Sequence, residues 1–283
     1  MLNTDDWFVI NMRLKHGTLD IYTHDGADIE RLLQDNSDGL IVFTEHEYGC
    51  ASHLAMSTII EMGKPQARIL THLISNNVFN QTEEFEHIGW ELYFVDGYTI
   101  LNISRWPQTS LVPPEQAQTT WIHIYPPIRD ILEVAMMNGH TNIRFLGSTT
   151  IHDALDNDIF KIQDSSDITV YDFKGDYAKR GDGDDLFFTP PTWLFPYIAH
   201  LLGYESSVAV LSGHNEDERV DTEAGKALMV WLDDNLLLPV TPEKLQDTAN
   251  DIQNHYDRSD KLRSDIETII TRSDTPKNSM LWG

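Results

Sequence analysis

Three groups of carboxylates and imidazoles hold residue types capable of chemistry. They are Glu45-His46-Glu47, His152-Asp153 with Asp156, and His214 with Glu216, Asp217 and Glu218. Each follows a short apolar run that reads as a strand, and open α/β sheets build their sites just past strand ends. Carboxylates and imidazoles converging there would hold a divalent metal or act as general acid and base. None of the three has a diagnostic spacing. The chain has no His-Glu-x-x-His, no Gly-x-Ser-x-Gly and no glycine-rich phosphate loop with its lysine. With 45 Asp and Glu and 12 His in 283 residues, chance groupings after strands are expected. The expectation is therefore no catalytic residue, no metal and no cofactor.

Cys50 follows Gly49 at a predicted helix start, where the helix dipole lowers a thiol pKa and His46 or His53 would be the base. The simpler expectation is a small cysteine packing the start of the helix. Trp282 stands apart from the other tryptophans. It lies one residue from the end of the chain, behind the turn-prone stretch 273–279. Two readings follow for Leu281-Trp282-Gly283. The end either tucks onto its own surface, or serves as a ligand tail whose apolar and aromatic side chains fill a partner's pocket while the carboxylate meets a cation.

The elements that must position these residues read as an alternation of strands and helices. Trp7 to Met12 and Leu19 to Tyr22 alternate as strands, with a turn at Gly17. Asp28 to Leu33 reads as a short helix, and Leu40 to Phe43 as a buried strand. A helix over Cys50 to Met62 puts Ala51, Ala55, Ile59 and Met62 on one face. Strands follow at Arg68 to Leu73, Trp90 to Val95 and Tyr98 to Ile103, the last two joined by Asp96-Gly97, a hairpin signal. Helix Pro127 to Asn138 leads to strand Ile143 to Leu146. Helix Trp193 to Leu202 leads to strand Ser207 to Leu211, then helix Thr222 to Asp234. Residues 177–185 read as a polar surface loop. This pattern predicts an α/β fold with a mostly parallel or mixed sheet covered by helices on both faces.

From Thr241 onward the pattern changes. Thr241-Pro242-Glu243 is a helix-start signature, and Leu245, Ala249, Ile252 and Tyr256 step along one apolar stripe that Leu262, Ile266 and Ile269 continue. A C-terminal helical extension is expected to about Arg272, in one piece or broken near Ser259. The chain is accordingly divided into an α/β domain, 1–240, and a helical appendage with a flexible tail, 241–283.

Composition narrows the function classes. A net charge of −25 repels phosphate backbones and argues against nucleic acid as a partner. It also keeps a protein dissolved in concentrated salt, as a halophilic cell would require. No stretch approaches the roughly 20 apolar residues of a membrane span, and Met1 to Asp6 lacks the character of a signal peptide. The single cysteine suits a reducing compartment, so a cytoplasmic address is expected.

Four stretches together resemble the proteasome-assembly-chaperone-2 family. Leu40-Ile41-Val42-Phe43 followed by Tyr48-Gly49-Cys50-Ala51-Ser52-His53-Leu54-Ala55 is similar to its opening strand, glycine turn and small-residue helix. Ile131 to Gly139 leading into Ile143-Arg144-Phe145-Leu146-Gly147 looks like its helix, glycine stop and central strand. Thr189-Pro190-Pro191-Thr192, the helix ending Leu202-Gly203-Tyr204 and strand Val208 to Leu211 form the third. The fourth is Asp221-Thr222-Glu223-Ala224, Leu228 and Leu232 with Leu245 and Ala249-Asn250-Asp251-Ile252. The resemblance covers about residues 38–270, and order and spacing carry it. Glu45-His46-Glu47 departs from the more apolar turn of the family.

The resemblance implies a phosphorylase/hydrolase-like α/β fold, self-association into a homo-oligomer, and proteasome core-particle subunits as partners. Some archaeal relatives resemble activators that dock through a C-terminal hydrophobic–tyrosine–any motif. Leu281, Trp282 and Gly283 match it with Trp in place of Tyr. The competing expectation is an enzyme of the same fold class, cleaving nucleosides or related small molecules. It requires two or more of Glu45, His46, His152, Asp153 and His214 to converge in one pocket.

Overall fold

The computed structural model describes residues 13–23, 26–45, 47–71, 90–103, 117–152, 162–173 and 194–273. In chain order the elements are β1 (Arg13–His16), β2 (Leu19–Thr23), α1 (Ile29–Asp35), β3 (Gly39–Thr44), α2 (Ala51–Ser57), β4 (Ala67–Thr71), β5 (Trp90–Val95) and β6 (Tyr98–Ile103). Then come α3 (Ala117–Met137), β7 (Asn142–Thr150), β8 (Ile168–Asp172), α4 (Leu194–Leu202), β9 (Ser206–His214), α5 (Thr222–Leu236) and α6 (Glu243–Ser273). The strand expected at Trp7 to Met12 and the loop at 177–185 lie outside the described residues.

Among the described residues nine strands form one mixed sheet in the order β1-β2-β4-β5-β6-β3-β7-β9-β8. Parallel pairing is confined to β6-β3-β7-β9, and every other neighbour pair is antiparallel. The central strand β3 is buried throughout. Its run Leu40-Ile41-Val42-Phe43 is apolar without a break because both faces are covered. Leu40 and Val42 enter one core, with Ile29 and Leu33 of α1, Ile131 and Leu132 of α3, and Phe195 and Ile198 of α4. Ile41 and Phe43 enter the other, with Leu54 and Ala55 of α2, Leu228 and Leu232 of α5, and Leu245 and Ala249 of α6. The expected layering, with helices on both faces of a mixed sheet and a long C-terminal helix, is what the chain adopts.

Several boundaries moved for identifiable reasons. The Asp96-Gly97 turn holds both residues at positive φ (46° and 86°), the geometry of a tight hairpin turn, so β5 and β6 are bounded as expected. Helix α2 stops at Ser57, short of Met62. The hydroxyls of Ser57 and Thr58 donate to the carbonyls of Leu54 (2.7 Å) and Ala55 (2.6 Å), offering the backbone an alternative to another turn. Helix α3 begins ten residues before the expected Pro127, with Pro126 and Pro127 inside it. Strands β7 and β9 run on to Thr150 and His214, because their polar C-terminal halves pair with each other residue for residue. Strand β8 was not expected at all. Helix α6 runs unbroken past Ser259. Among the described residues no helix is long and apolar enough to cross a membrane.

Candidate functional site

The C-terminal ends of the parallel strands β3, β7 and β9 lie side by side, and the residues just past them come from the predicted groups. Glu45 and Glu47 follow β3, and His214 closes β9. His46, Asp153 and Asp156 lie outside the described residues. His152, past β7, is exposed.

Two polar networks form on the α2 side of the sheet, and the Glu45-His46-Glu47 stretch feeds both. Glu45 Oε1 accepts from Asn102 Nδ2 (2.6 Å), which also donates to Glu91 Oε2 (3.2 Å). Glu91 takes a further hydrogen bond from the Tyr93 hydroxyl (2.8 Å) and lies 3.2 Å from Nη2 of Arg68. Arg68 and Glu91 are both buried, so each offers the other an opposite charge in a dry setting. Burial, and then the Glu91 carboxylate, push the Tyr93 hydroxyl far above its ordinary pKa, so it donates and stays neutral.

The second network surrounds the turn before α2. Glu47 folds its carboxyl back inside, where Oε1 accepts the Ser52 N–H and Oε2 the Ser148 N–H (3.1 Å). Burial outweighs those donors and pushes the carboxyl up to about 8. Ser52 Oγ in turn donates to the Thr44 carbonyl (3.1 Å), and Thr44 Oγ1 to that of Ile103 (3.1 Å), which ties the ends of β3 and β6 to the start of α2.

Gly49 and Cys50 both adopt positive φ (65° and 53°). A side chain at 49 would meet His214 Nδ1 at 2.4 Å and Asp221 at 3.0 Å, so only glycine lets the turn lie on this pair. Asp221 is the N-cap of α5. Its Oδ1 accepts from the Ala224 N–H (3.0 Å). Its Oδ2 accepts from the Ser165 hydroxyl (2.8 Å) and the Asn215 N–H (3.0 Å), and lies 3.7 Å from His214 Nδ1. Burial alone would raise this carboxyl. The nearby His214 ring, the Asn215 and Ala224 N–H groups and the Ser165 hydroxyl outweigh it and hold Asp221 well below the ordinary carboxylate range.

Cys50 is buried, with Sγ 3.5 Å from the Tyr256 hydroxyl of α6. Burial raises its pKa, Tyr256 opposes that, and the neighbouring Glu47 and Glu45 raise it further. This is a packed thiol, as the simpler expectation had it, and a poor nucleophile.

Chemically, the arrangement orders the chain. Glu45 is engaged by a side-chain amide and Glu47 by two backbone N–H groups, and His214 lies 3.7 Å from Asp221. Among the described residues no three His, Cys, Asp or Glu side chains group as a metal site. Sequence reasoning missed Asp221, Asn102, Glu91 and Arg68 as partners of these groups. Of these only Asp221 carried a local signal, as a cap residue before Thr222-Glu223. Leu281, Trp282 and Gly283 lie outside the described residues.

No protein-family model and no curated protein sequence matches the chain. Solved structures do. PbaB of Pyrococcus furiosus, an archaeal proteasome activator, superposes with a TM-score of 0.57 at 15% identity, over 86% of this chain and 99% of that one. A protein of unknown function from Thermoplasma acidophilum gives a TM-score of 0.54 at 12% identity, over 86% and 94%. PbaA of Pyrococcus furiosus, an archaeal homolog of proteasome-assembly chaperone, gives 0.50 at 12% identity, over 82% and 96%. At such identities the likeness is one of fold alone, and the fold is the one that PbaB and PbaA have.

Proposed function

We propose that this chain is a non-enzymatic protein-binding protein that engages proteasome core-particle subunits. The observation that carries the reading is the end-to-end likeness to PbaB, which spans 99% of that activator's chain. The polar residues past the strands support it, since Glu45, Glu47 and Asp221 are all committed to hydrogen bonds within the chain. Leu281-Trp282-Gly283 is the docking segment: an aliphatic and an indole side chain enter an apolar pocket and the terminal carboxylate meets a cation. The protein works as a homo-oligomer in the cytoplasm, where several tails engage one particle and avidity adds to a weak single contact. The test is deletion of residues 281–283 followed by measurement of binding to the core particle of the same cell. Binding is expected to fall to background. Binding that survives the deletion removes the tail from this reading, and absence of binding by the intact chain removes the partner.

A further inference from the structure

A groove of about 440 Å³ runs between β8 and α5, at the end of the sheet and just beyond the Ser165–Asp221 hydrogen bond. Its floor is apolar: Ile168 from β8, and Val230 and the half-buried Trp231 from α5. Val230 is 46% exposed, and Val170, two residues along β8 from Ile168, is 51% exposed. Residues two apart on a strand share a face, so the apolar strip continues beyond the groove itself. β8 is the last strand on this side among the described residues.

The rim is mainly acidic. Asp167, Glu223 and Asp234 stand around it, against Lys226 alone, and Lys226 lies 3.8 Å from Glu223. Asp234 forms no ion pair among the described residues. It also sits with Asp233 in the last turn of α5, which has no basic residue. The end of a helix carries partial negative charge, so carboxylates there are unfavourable until a cation arrives. The groove thus joins an indole face, an apolar floor and uncompensated negative charge at one end. A cation over an indole, with carboxylates beside it, is stabilised by both.

We propose that this groove docks an extended segment of a partner protein in which aliphatic residues and an Arg or Lys occupy every second position, so that they share one face. The aliphatic side chains cover Val170 and Val230, and the cation lies between Trp231 and Asp234. A strand-like segment beside β8, the last strand of the sheet among the described residues, puts alternate side chains into the groove.

The test uses the full chain and a fluorescently labelled, acetylated and amidated Leu-Ser-Arg-Ser-Leu peptide, which puts both Leu and the Arg on one face, read by anisotropy at about 0.15 M salt. A second peptide carries neutral citrulline in place of Arg. The Arg peptide is expected to bind, with the citrulline peptide, Asp234→Asn and Val230→Ser each weakening binding about tenfold or more. Glu205→Gln, an exposed carboxylate elsewhere with the same change in net charge, is expected to leave binding unchanged. Removing residues 281–283 should also leave it unchanged, which separates this surface from the tail.

Equal weakening by Asp234→Asn and Glu205→Gln would mean that only net charge is read, and equal binding of both peptides would remove the cation; either overturns the proposal. So does an intact chain that ignores the Arg peptide. A change of oligomeric state in Val230→Ser, seen by sedimentation, would assign the groove to a second copy and overturn it too. Circular dichroism checks that each variant is folded.

Discussion

The two polar networks lie on the same face of the same sheet and share the Glu45-His46-Glu47 stretch, yet they satisfy buried carboxylates in opposite ways. Around Glu91 the answer is side chain to side chain, with Arg68 as counter-charge and Tyr93 and Asn102 as donors. Around Asp221 and Glu47 much of the answer is backbone, from the N–H groups of Ala224, Asn215, Ser52 and Ser148. A network of side chains can be broken from either end, and each break strands the other partner. A network built on N–H groups has one vulnerable member, the carboxylate. The two also differ in protonation: the Asp221 carboxyl is held ionised, while Glu47 keeps its proton up to about pH 8.

The largest expected effect comes from breaking the charge-paired network. Glu91→Ala leaves Arg68 buried without its counter-charge and should destabilise the fold by about 3–5 kcal/mol in urea unfolding. Replacing both together, Arg68→Met with Glu91→Leu, should recover most of that loss. A single variant that costs no more than the double one would mean that the pair is not coupled. Next in size is Asp221→Ala, which removes the α5 cap and strands the Ser165 hydroxyl and the Asn215 N–H, for about 2 kcal/mol. Asp221→Asn keeps one acceptor oxygen and should recover part of it. If Asn is as harmful as Ala, the ionised charge matters more than the caps.

The third test sharpens the protonation contrast. The folded chain holds a proton on Glu47 between its ordinary 4.5 and about 8, where the unfolded chain has released it. Folding therefore takes up a proton in that window, and stability falls as pH rises through it, by at most ~1.4 kcal/mol per pH unit. Above about 8 this contribution no longer changes with pH. Glu47→Gln removes the titration, so its melting temperature should depend less on pH between 5 and 8 than that of the parent. Parallel curves for the two would show that Glu47 is ionised in the fold.

Much of this architecture was legible because its signals are local. The unbroken run Leu40 to Phe43 requires two covered faces. Asp96-Gly97 dictates a turn in which both residues have positive φ. The stripe Leu245, Ala249 and Ile252 packs as its spacing implied. The misses have a shared cause. β8 is a run of only five mostly strand-forming residues, Ile168-Thr169-Val170-Tyr171-Asp172, too short to stand out before its ladder with β9 fixes it. The polar halves of β7 and β9 are strand because they pair with each other. At the site, the positions of Glu45, Glu47 and His214 past strand ends could be read directly. Their partners Asn102, Ser148 and Asp221 lie 57, 101 and 7 residues away respectively, from separate elements, and no spacing rule joins them. Gly49 looked like an ordinary helix-start glycine, whereas its role is set by His214 lying against it.

The packing of α6 against α2 also sets an order of events during synthesis. The core layer of α1, α3 and α4 draws its buried residues from Leu19 to Leu211, so it can close before the last quarter of the chain exists. The opposite layer cannot. Leu54 and Ala55 of α2 share their cluster with Leu245 and Ala249, and Cys50 meets Tyr256. A nascent chain therefore carries one finished face and one unfinished face until nearly all of it has been translated. Products that stop short of residue 245 would display the apolar surface of α2 and α5 to the cell's folding and degradation machinery.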